Sequence, residues 1–459
     1  MKITDKIYID LDHETVEGSK IAPLLTYDNP EFHQKMNLGL SVWNTPETIK
    51  TYTIKNRTLE ILRGEAIKLK PHIGHLRYDF DHPDHPIKLF YHNGDFDLDA
   101  YQEAAIEAMT KYRQGIIHAV TSAGKSLILV KAIAQIGQRA LIVVHRKILM
   151  KQLLEDIDKY IRDENGQKIQ PGIIGDGSYT IGSITIGIDK TLIKHLGALR
   201  EEFGVVILDE CHLAPANTIL TLINSLNAKY RFGLSGTLRR KDQKEFLIYS
   251  TFGTVIATIS KEVLLEKGRV VPVEIKIVES ETQFDWDGVV TGLVEEGNKN
   301  PTQAARHLQE KTIAFDPGRQ DIILSLTARL PGKTIVLSRY VEPCYKLQEA
   351  LKQQYGIEAG IITGRDSKEG LESYEAMKKR DMKVIFATIG CVSTGVSISD
   401  LDNIVLISPV YTNELLLHQI RGRLFRTSPG KTHGTLYFIY DQYIFPSWKL
   451  SKFLKIVNS

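Results

Sequence analysis

A chain of 459 residues exceeds one ordinary hydrophobic core, and at roughly 150 residues per domain its length suggests about three. Hydrophobic residues at 42% and charged residues at 25% exclude a disordered tail or a membrane-embedded chain and fit a water-soluble globular protein. The net charge of +3 does not announce a nucleic-acid binder, so any phosphate-binding surface has to come from local placement of the 58 Lys and Arg residues.

The N-terminus, MKITDKIYIDLDHETVE, carries acids where a secretory signal would need an apolar run, and no stretch reaches the length of a transmembrane helix. Three cysteines, Cys211, Cys344 and Cys391, form no C-x-x-C pair, which argues against a disulfide framework or a thiolate zinc site. A cytoplasmic protein with no membrane partner is expected.

Residues 1–95 lack the alternation seen later and are read as a small N-terminal accessory α+β domain. Between Pro71 and Asp97 they hold His72, His75, His82, His85 and His92, whose spacing fits no four-ligand zinc pattern. Lys50, Lys55, Arg57, Arg63, Lys68, Lys70 and Arg77 are compatible with engagement of DNA by this domain, or with solvated surface.

From about residue 98, helical patterns alternate with short β-branched runs: IIHAV at 116–120, ALIVV at 140–144, SITIGI at 183–188, VVILD at 205–209 and KYRFGLSG at 229–236. Such alternation predicts parallel βαβ units. It resumes with KTIVLS at 333–338, GIEAGIIT at 356–363, KVIFAT at 383–388, NIVLIS at 403–408 and GTLYFIYD at 434–441. Two α/β sheets in tandem are expected, spanning 96–270 and 271–459. The strand-like GRVVPVEIKIVES and the polar stretch after it are read as a crossing. Phe284 and Trp286 there are candidates for a strand-separating wedge or for a surface loop with one buried aromatic.

AVTSAGKS, Ala119 to Ser126, follows a predicted strand and precedes a helical pattern, the context a phosphate-binding loop requires. Backbone N–H groups of Thr121, Ser122, Ala123 and Gly124 would hold phosphates, Lys125 would reach the β and γ phosphates, and the Ser126 hydroxyl would ligate Mg²⁺. Ala119 stands where the plain motif has its first Gly. VVILDECH at 205–212 ends an apolar strand in two acids: Asp209 would hold the Mg²⁺ shell and Glu210 would orient and deprotonate water.

With LSGT at 234–237 completing the set, the chain resembles the DExH helicases of superfamily two from about residue 98 to 430, and the fold implied is two RecA-like parallel-sheet lobes. The resemblance implies ATP and Mg²⁺ as cofactors, with Gln102 reading adenine and Gly395 also in the nucleotide set. It implies nucleic-acid backbone contacts from His145, Arg146, Lys190, Ser338, Arg339, Thr388 and Ser393. Coupling of hydrolysis to lobe movement falls to His212, Ser235 and Thr237. In QIRGRLFR, Gln419 joins the catalytic set, and Arg423 and Arg426, three apart and so expected on one helical face, would reach the γ phosphate. A nucleotide held jointly by Lys125 and these guanidiniums would convert hydrolysis into stepping along a strand.

The combination TSAGKS, DECHLA, GLSGTL and STGVS is similar to the UvsW-like phage recombination helicases. That resemblance implies a monomeric ATP-dependent DNA helicase that remodels forks and Holliday junctions with 3′-to-5′ tracking. An RNA helicase of the same superfamily and a DNA-translocating subunit of a nuclease remain as alternatives.

Overall fold

A computed structural model describes residues 1–10, 21–73, 77, 79–92, 97–120, 122–214, 216–240, 242–363, 368–379, 381–392, 400–408, 414–428 and 430–458. His75, Thr121, Ser393 and Gly395 lie outside the described residues. The chain divides into two compact units, Met1–Lys261 and Glu262–Ser459.

The first unit opens with a five-stranded sheet of β1 (Lys2–Ile3), β2 (Lys6–Asp10), β3 (Tyr52–Lys55), β4 (Thr58–Leu62) and β5 (Asp79–Phe80), in the order β3-β4-β2-β1-β5. Along β2 and β4 every second residue turns inward, so Ile7, Ile9, Leu59 and Ile61 form one apolar face with Leu25 and Leu69.

This sheet is fastened to the rest of the unit by two buried arginines. Arg63, 3% exposed, donates to the carbonyls of Thr4, Ala228 and Lys229. Arg231, 0% exposed, donates to the carbonyls of Asp5 and Leu226 and to Asn224 Oδ1. Arg63 is therefore not part of the basic surface that its sequence position suggested; carbonyl acceptors from both sides of a seam hold its guanidinium inside. Tyr27 stacks on Phe246 at 4.3 Å between ring centroids, and Lys244 pairs with Glu31 at 2.8 Å.

The larger sheet of this unit has the order β9-β8-β10-β7-β11-β12-β6-β13. Its elements in chain order are α1 (Ala100–Lys111), β6 (Gln114–Ala119), α2 (Lys125–Ile136), β7 (Ala140–Val144), α3 (Lys147–Tyr160), β8 (Gly172–Gly175), β9 (Ser178–Tyr179), β10 (Ile184–Ile188), α4 (Asp189–Leu192), β11 (Val205–Asp209), α5 (Asn217–Ser225), β12 (Tyr230–Ser235), α6 (Phe246–Phe252) and β13 (Val255–Ile259). Every pairing is parallel except β8 with β9. All five residues of β7 are buried, as expected of a parallel strand covered on both faces, and burying each apolar side chain stabilises the fold by about 1.5–3 kcal/mol relative to exposure.

The second unit holds one all-parallel sheet in the order β14-β19-β18-β15-β17-β16. Its elements are β14 (Val273–Ser280), α7 (Trp286–Glu295), α8 (Pro301–Phe315), α9 (Pro317–Arg329), β15 (Lys333–Ser338), α10 (Val341–Tyr355), β16 (Ala359–Ile362), α11 (Lys368–Lys378), β17 (Val384–Thr388), β18 (Leu401–Leu406), α12 (Glu414–Leu424), β19 (Gly434–Asp441) and α13 (Ser447–Asn458). The stretch read as a crossing supplies edge strand β14, which pairs with β19 over its whole length, and two helices follow it. Inside, Arg319 pairs with Asp441 at 2.6 Å, both about 1% exposed or less, and donates to Ile407 O, tying α9 to the middle of the sheet. The α/β class with two parallel-sheet lobes is the architecture the alternation predicts.

Candidate nucleotide site and strand-contact elements

Strands of a parallel sheet point the same way, so the residues that follow them gather along one edge, where α/β proteins bind ligands. In the first unit that edge collects Ala119 from β6, Asp209 from β11 and Ser235 from β12, with Ser235 in register with His118 and Asp209 with Leu234.

The loop from β6 to α2 turns through two left-handed residues, Ser122 at φ 74° and Gly124 at φ 75°. Left-handed residues within a turn orient backbone N–H groups into a concave nest for anions. The helix behind it has no side-chain cap, and the first N–H groups of any helix lack intrahelical acceptors, so α2 presents donors to that nest. Gln102, 6% exposed, closes the back: its Nε2 donates to Ala123 O at 3.1 Å, while its Oε1 accepts from Asp99 N at 3.0 Å as part of the capping box of α1. A Cβ on Gly124 would overlap Gln102 Nε2, so glycine is required there on two counts. Ser122 Oγ is buried with no hydrogen-bond partner among the described residues.

Lys125 Nζ reaches Glu210 Oε1 at 3.3 Å, the two side chains being 17% and 20% exposed. Glu210 sits at φ 57°, a left-handed backbone that costs a non-glycine residue about 1–2 kcal/mol and is met at functional sites. Its other oxygen lies 3.3 Å from His212 Nδ1 and 3.4 Å from Ser235 Oγ, and His212 Nδ1 is 3.0 Å from Ser235 Oγ. Ser235 Oγ donates to Thr237 O at 2.6 Å, and Arg240 donates to His212 O. The side chains of Lys125, Glu210, His212 and Ser235 thus form one connected chain that ends on the Thr237 carbonyl. Burial, with the Glu210 carboxylate beside it, pushes Asp209 up to about 6, against the pull of Lys125. A cation placed against Asp209 would favour its ionised form. The nest of donors, the unpartnered Ser122 hydroxyl, and the hydroxyl and carboxylate oxygens of Ser126 and Asp209 fit a nucleotide and Mg²⁺, which prefers oxygen ligands.

Elsewhere on the same edge, His145 and Arg146 follow β7 while Lys190 lies in α4 after β10, brought side by side by the Val144 to Ile188 register. Lys190 is exposed, whereas Arg146 is 8% exposed at the start of α3. In the second unit Ser338 and Thr388 end β15 and β17 in register. Ser338 is buried and its Oγ accepts from Tyr340 N at 3.0 Å; Thr388 donates to Cys391 Sγ at 3.1 Å. Arg339 is the exposed member, its side chain 62% open.

Gln419 and Arg423 lie on α12, but Arg426 does not share its helical face. The helix ends at Leu424, Phe425 O accepts from Val271 N at 2.7 Å, and Arg426 forms a β-bridge with Val270. This pairing pulls the chain out of helix after Leu424, before a fourth turn forms. Sequence reasoning missed Lys431, whose Nζ donates to the carbonyls of Leu401, Leu424 and Arg426 and fixes the end of α12. Burial lowers this lysine to about 8. It missed Arg421 too, 4% exposed against the Phe425 ring, whose charge burial disfavours. For Arg421, a basic residue two positions before an expected finger was the signal available. Phe284 and Trp286, the wedge candidates, lie 6.3 Å apart at the start of α7, both half-buried. No group of metal-binding side chains occurs among the described histidines, and no helix of the described residues is long and apolar enough to cross a membrane.

Residues 95–240 match the family described as Type III restriction enzyme, res subunit, and residues 318–428 match the helicase conserved C-terminal domain. The chain is 27% identical over 330 residues to the probable helicase D10 of Escherichia phage T5, covering 69% of this chain and 65% of that protein. It is 25% identical over 377 residues to the ATP-dependent DNA helicase uvsW of Enterobacteria phage T4, covering 80% of this chain and 72% of that one. It thus spans about two thirds of the length of these relatives. Among solved structures, the ATP-dependent Type ISP restriction-modification enzyme LlaBIII bound to DNA shares the fold with a TM-score of 0.52 at 14% identity, over 79% of this chain and 30% of that chain.

Proposed function

Because this chain belongs to helicase superfamily two, we propose that it hydrolyses ATP to move along DNA and to remodel forked and branched duplexes. The observation that carries this reading is the single network running from Lys125 through Glu210 to His212, Ser235 and Thr237. It joins the phosphate-binding loop to the segment after β12, so an event at the γ phosphate has a physical route away from the site.

The backbone nest and Lys125 hold the phosphates. Arriving γ phosphate competes with Glu210 for Lys125, and the released carboxylate is then available to orient water and take its proton. His212 keeps Glu210 from swinging away while this happens. Mg²⁺ held by Ser126 and Asp209 would neutralise charge on the phosphate oxygens. Arg423 and Arg426, with Gln419, act in the same reading on charge that develops at the γ phosphate. His145, Arg146, Lys190, Arg339 and Thr388 contact the nucleic-acid backbone without reading sequence, and binding should therefore be salt-sensitive. The likeness to the phage T4 ATP-dependent DNA helicase supports DNA as the substrate, and fork regression, junction migration, 3′-to-5′ tracking and action as a monomer belong to the same proposed reading.

ATPase stimulation measured side by side with forked DNA, duplex DNA and single-stranded RNA tests the reading. Stimulation by RNA alone would reject it. A gel assay of fork regression and Holliday-junction movement with ATP tests the finer claim, and DNA-stimulated ATPase without either product would confine the protein to translocation.

A further inference from the structure

Arg339, assigned to the strand-contacting set, is answered within its own unit by a carboxylate the sequence gives no reason to connect with it. Glu310, on α8, accepts from Arg339 Nη1 at 2.7 Å through Oε1 and from the Tyr340 hydroxyl through Oε2. The backbone carrying Arg339 is itself fixed, since its N–H donates to Ser408 Oγ at 2.7 Å and the Tyr340 N–H donates to Ser338 Oγ. Together with Ile313, Ala314 and Ile407 these groups line a shallow depression at the edge of the sheet.

The two halves of the ion pair are unequally placed. Glu310 is 28% exposed and anchored at two points; Arg339 is 62% exposed and held by one. Loss of hydration and the neighbouring Glu310 carboxylate raise Tyr340 to about 12, so its hydroxyl stays a donor at any working pH. Glu310 cannot follow Arg339 outward, while Arg339 can meet a phosphate only by giving up the carboxylate. An ion pair this open is weak, which makes the exchange inexpensive.

We propose that Glu310 is a positioning residue that competes with backbone phosphates for Arg339, orienting its guanidinium between strands and weakening its hold on a bound one. The proposal rests on the nucleic-acid reading above. A motor that steps has to release what it grips, and a resident competitor sets how easily this contact lets go.

The test is equilibrium binding of a fluorescein-labelled single-stranded DNA oligonucleotide to the full chain across a salt series. Glu310→Gln should tighten binding two- to five-fold at about 0.1 M salt. It should also steepen the dependence of log K on log salt by up to about 0.7, the increment of one complete phosphate contact on a single strand. In an Arg339→Ala background the same change should leave the slope as it was. Glu342→Gln, which removes an equal charge from a side chain 63% exposed and paired with Lys346, should also leave it alone. An unchanged slope in Glu310→Gln, or an equal rise without Arg339, overturns the proposal. Should Glu310→Gln fold poorly, Glu310→Ala removes the same carboxylate from α8 and must act with the same sign. Failure of the unaltered chain to bind DNA at all would instead remove the functional reading, and this inference with it.

Discussion

Gly124→Ala separates the geometry of the phosphate-binding loop from mere presence of its side chains. At φ 75° an alanine bears a left-handed penalty of about 1–2 kcal/mol. Its methyl would also overlap Gln102 Nε2, and moving that carboxamide breaks the bond to Ala123 O, a further cost of about 1 kcal/mol. The loop conformation should therefore lose about 2–3 kcal/mol, and if phosphates bind only to that conformation, ATP affinity should fall roughly 30- to 150-fold. Gly137→Ala is the matched control. It closes the other end of α2 at φ 67°, where a Cβ meets only Ile87 O at 3.5 Å. That variant should lose stability by about 1–2 kcal/mol in thermal unfolding and bind ATP normally. Titration with a fluorescent ATP analogue reads both. Affinity within about three-fold of the unaltered chain for Gly124→Ala would refute the argument that this backbone shape holds phosphate.

Lys125→Ala should abolish hydrolysis and weaken ATP binding, whereas Glu210→Gln should retain binding and stall turnover; normal steady-state ATPase in either counts against the assignment. Arg423→Ala should lose hydrolysis with nucleotide binding largely intact, checked by the same two measurements. Arg319→Met should destabilise the second unit by about 3–5 kcal/mol in urea unfolding, because Asp441 is left buried and unpaired; adding Asp441→Leu should restore much of the loss. His82 is lowered to about 4 by burial and by the positive charge of Arg63, so it is neutral when folded and gains a proton on unfolding. Its contribution is complete above the ordinary histidine value of 6.5 and is lost as pH falls from there towards 4. His82→Gln should flatten the fall in unfolding temperature across that window, and an unchanged profile would remove His82 from the account.

The ten strand runs named from sequence are all strands, because a parallel strand covered on both faces must be apolar along its length. β8 and β13 were not legible: GIIG is short and bounded by glycine, and VIATI follows directly on a helix. The strands of the N-terminal sheet were not named either, because their alternation of inward and outward residues runs over only five positions. At the candidate site, the loop and the acids could be read because their chemistry is contiguous in sequence. Arg63 and Glu310 could not, since their partners stand 165 and 29 residues away and an arginine bound to carbonyls is written like one in water. Arg426 misled for a related reason: three-residue spacing implies a shared face only while the helix lasts, and a distant segment at Val270 ends it.

The seam closed by Arg63 and Arg231 bears on how the molecule can be shortened. A gene trimmed to begin at residue 96 would strip the Asp5 carbonyl from Arg231, the Arg63 donors from Ala228 and Lys229, and the Asp5 carboxylate from Arg200. The remaining fragment would carry every nucleotide-binding motif of the first unit and still expose a raw polar wound where a wall had been. Insolubility of such a fragment would report on this masonry and say nothing about catalysis.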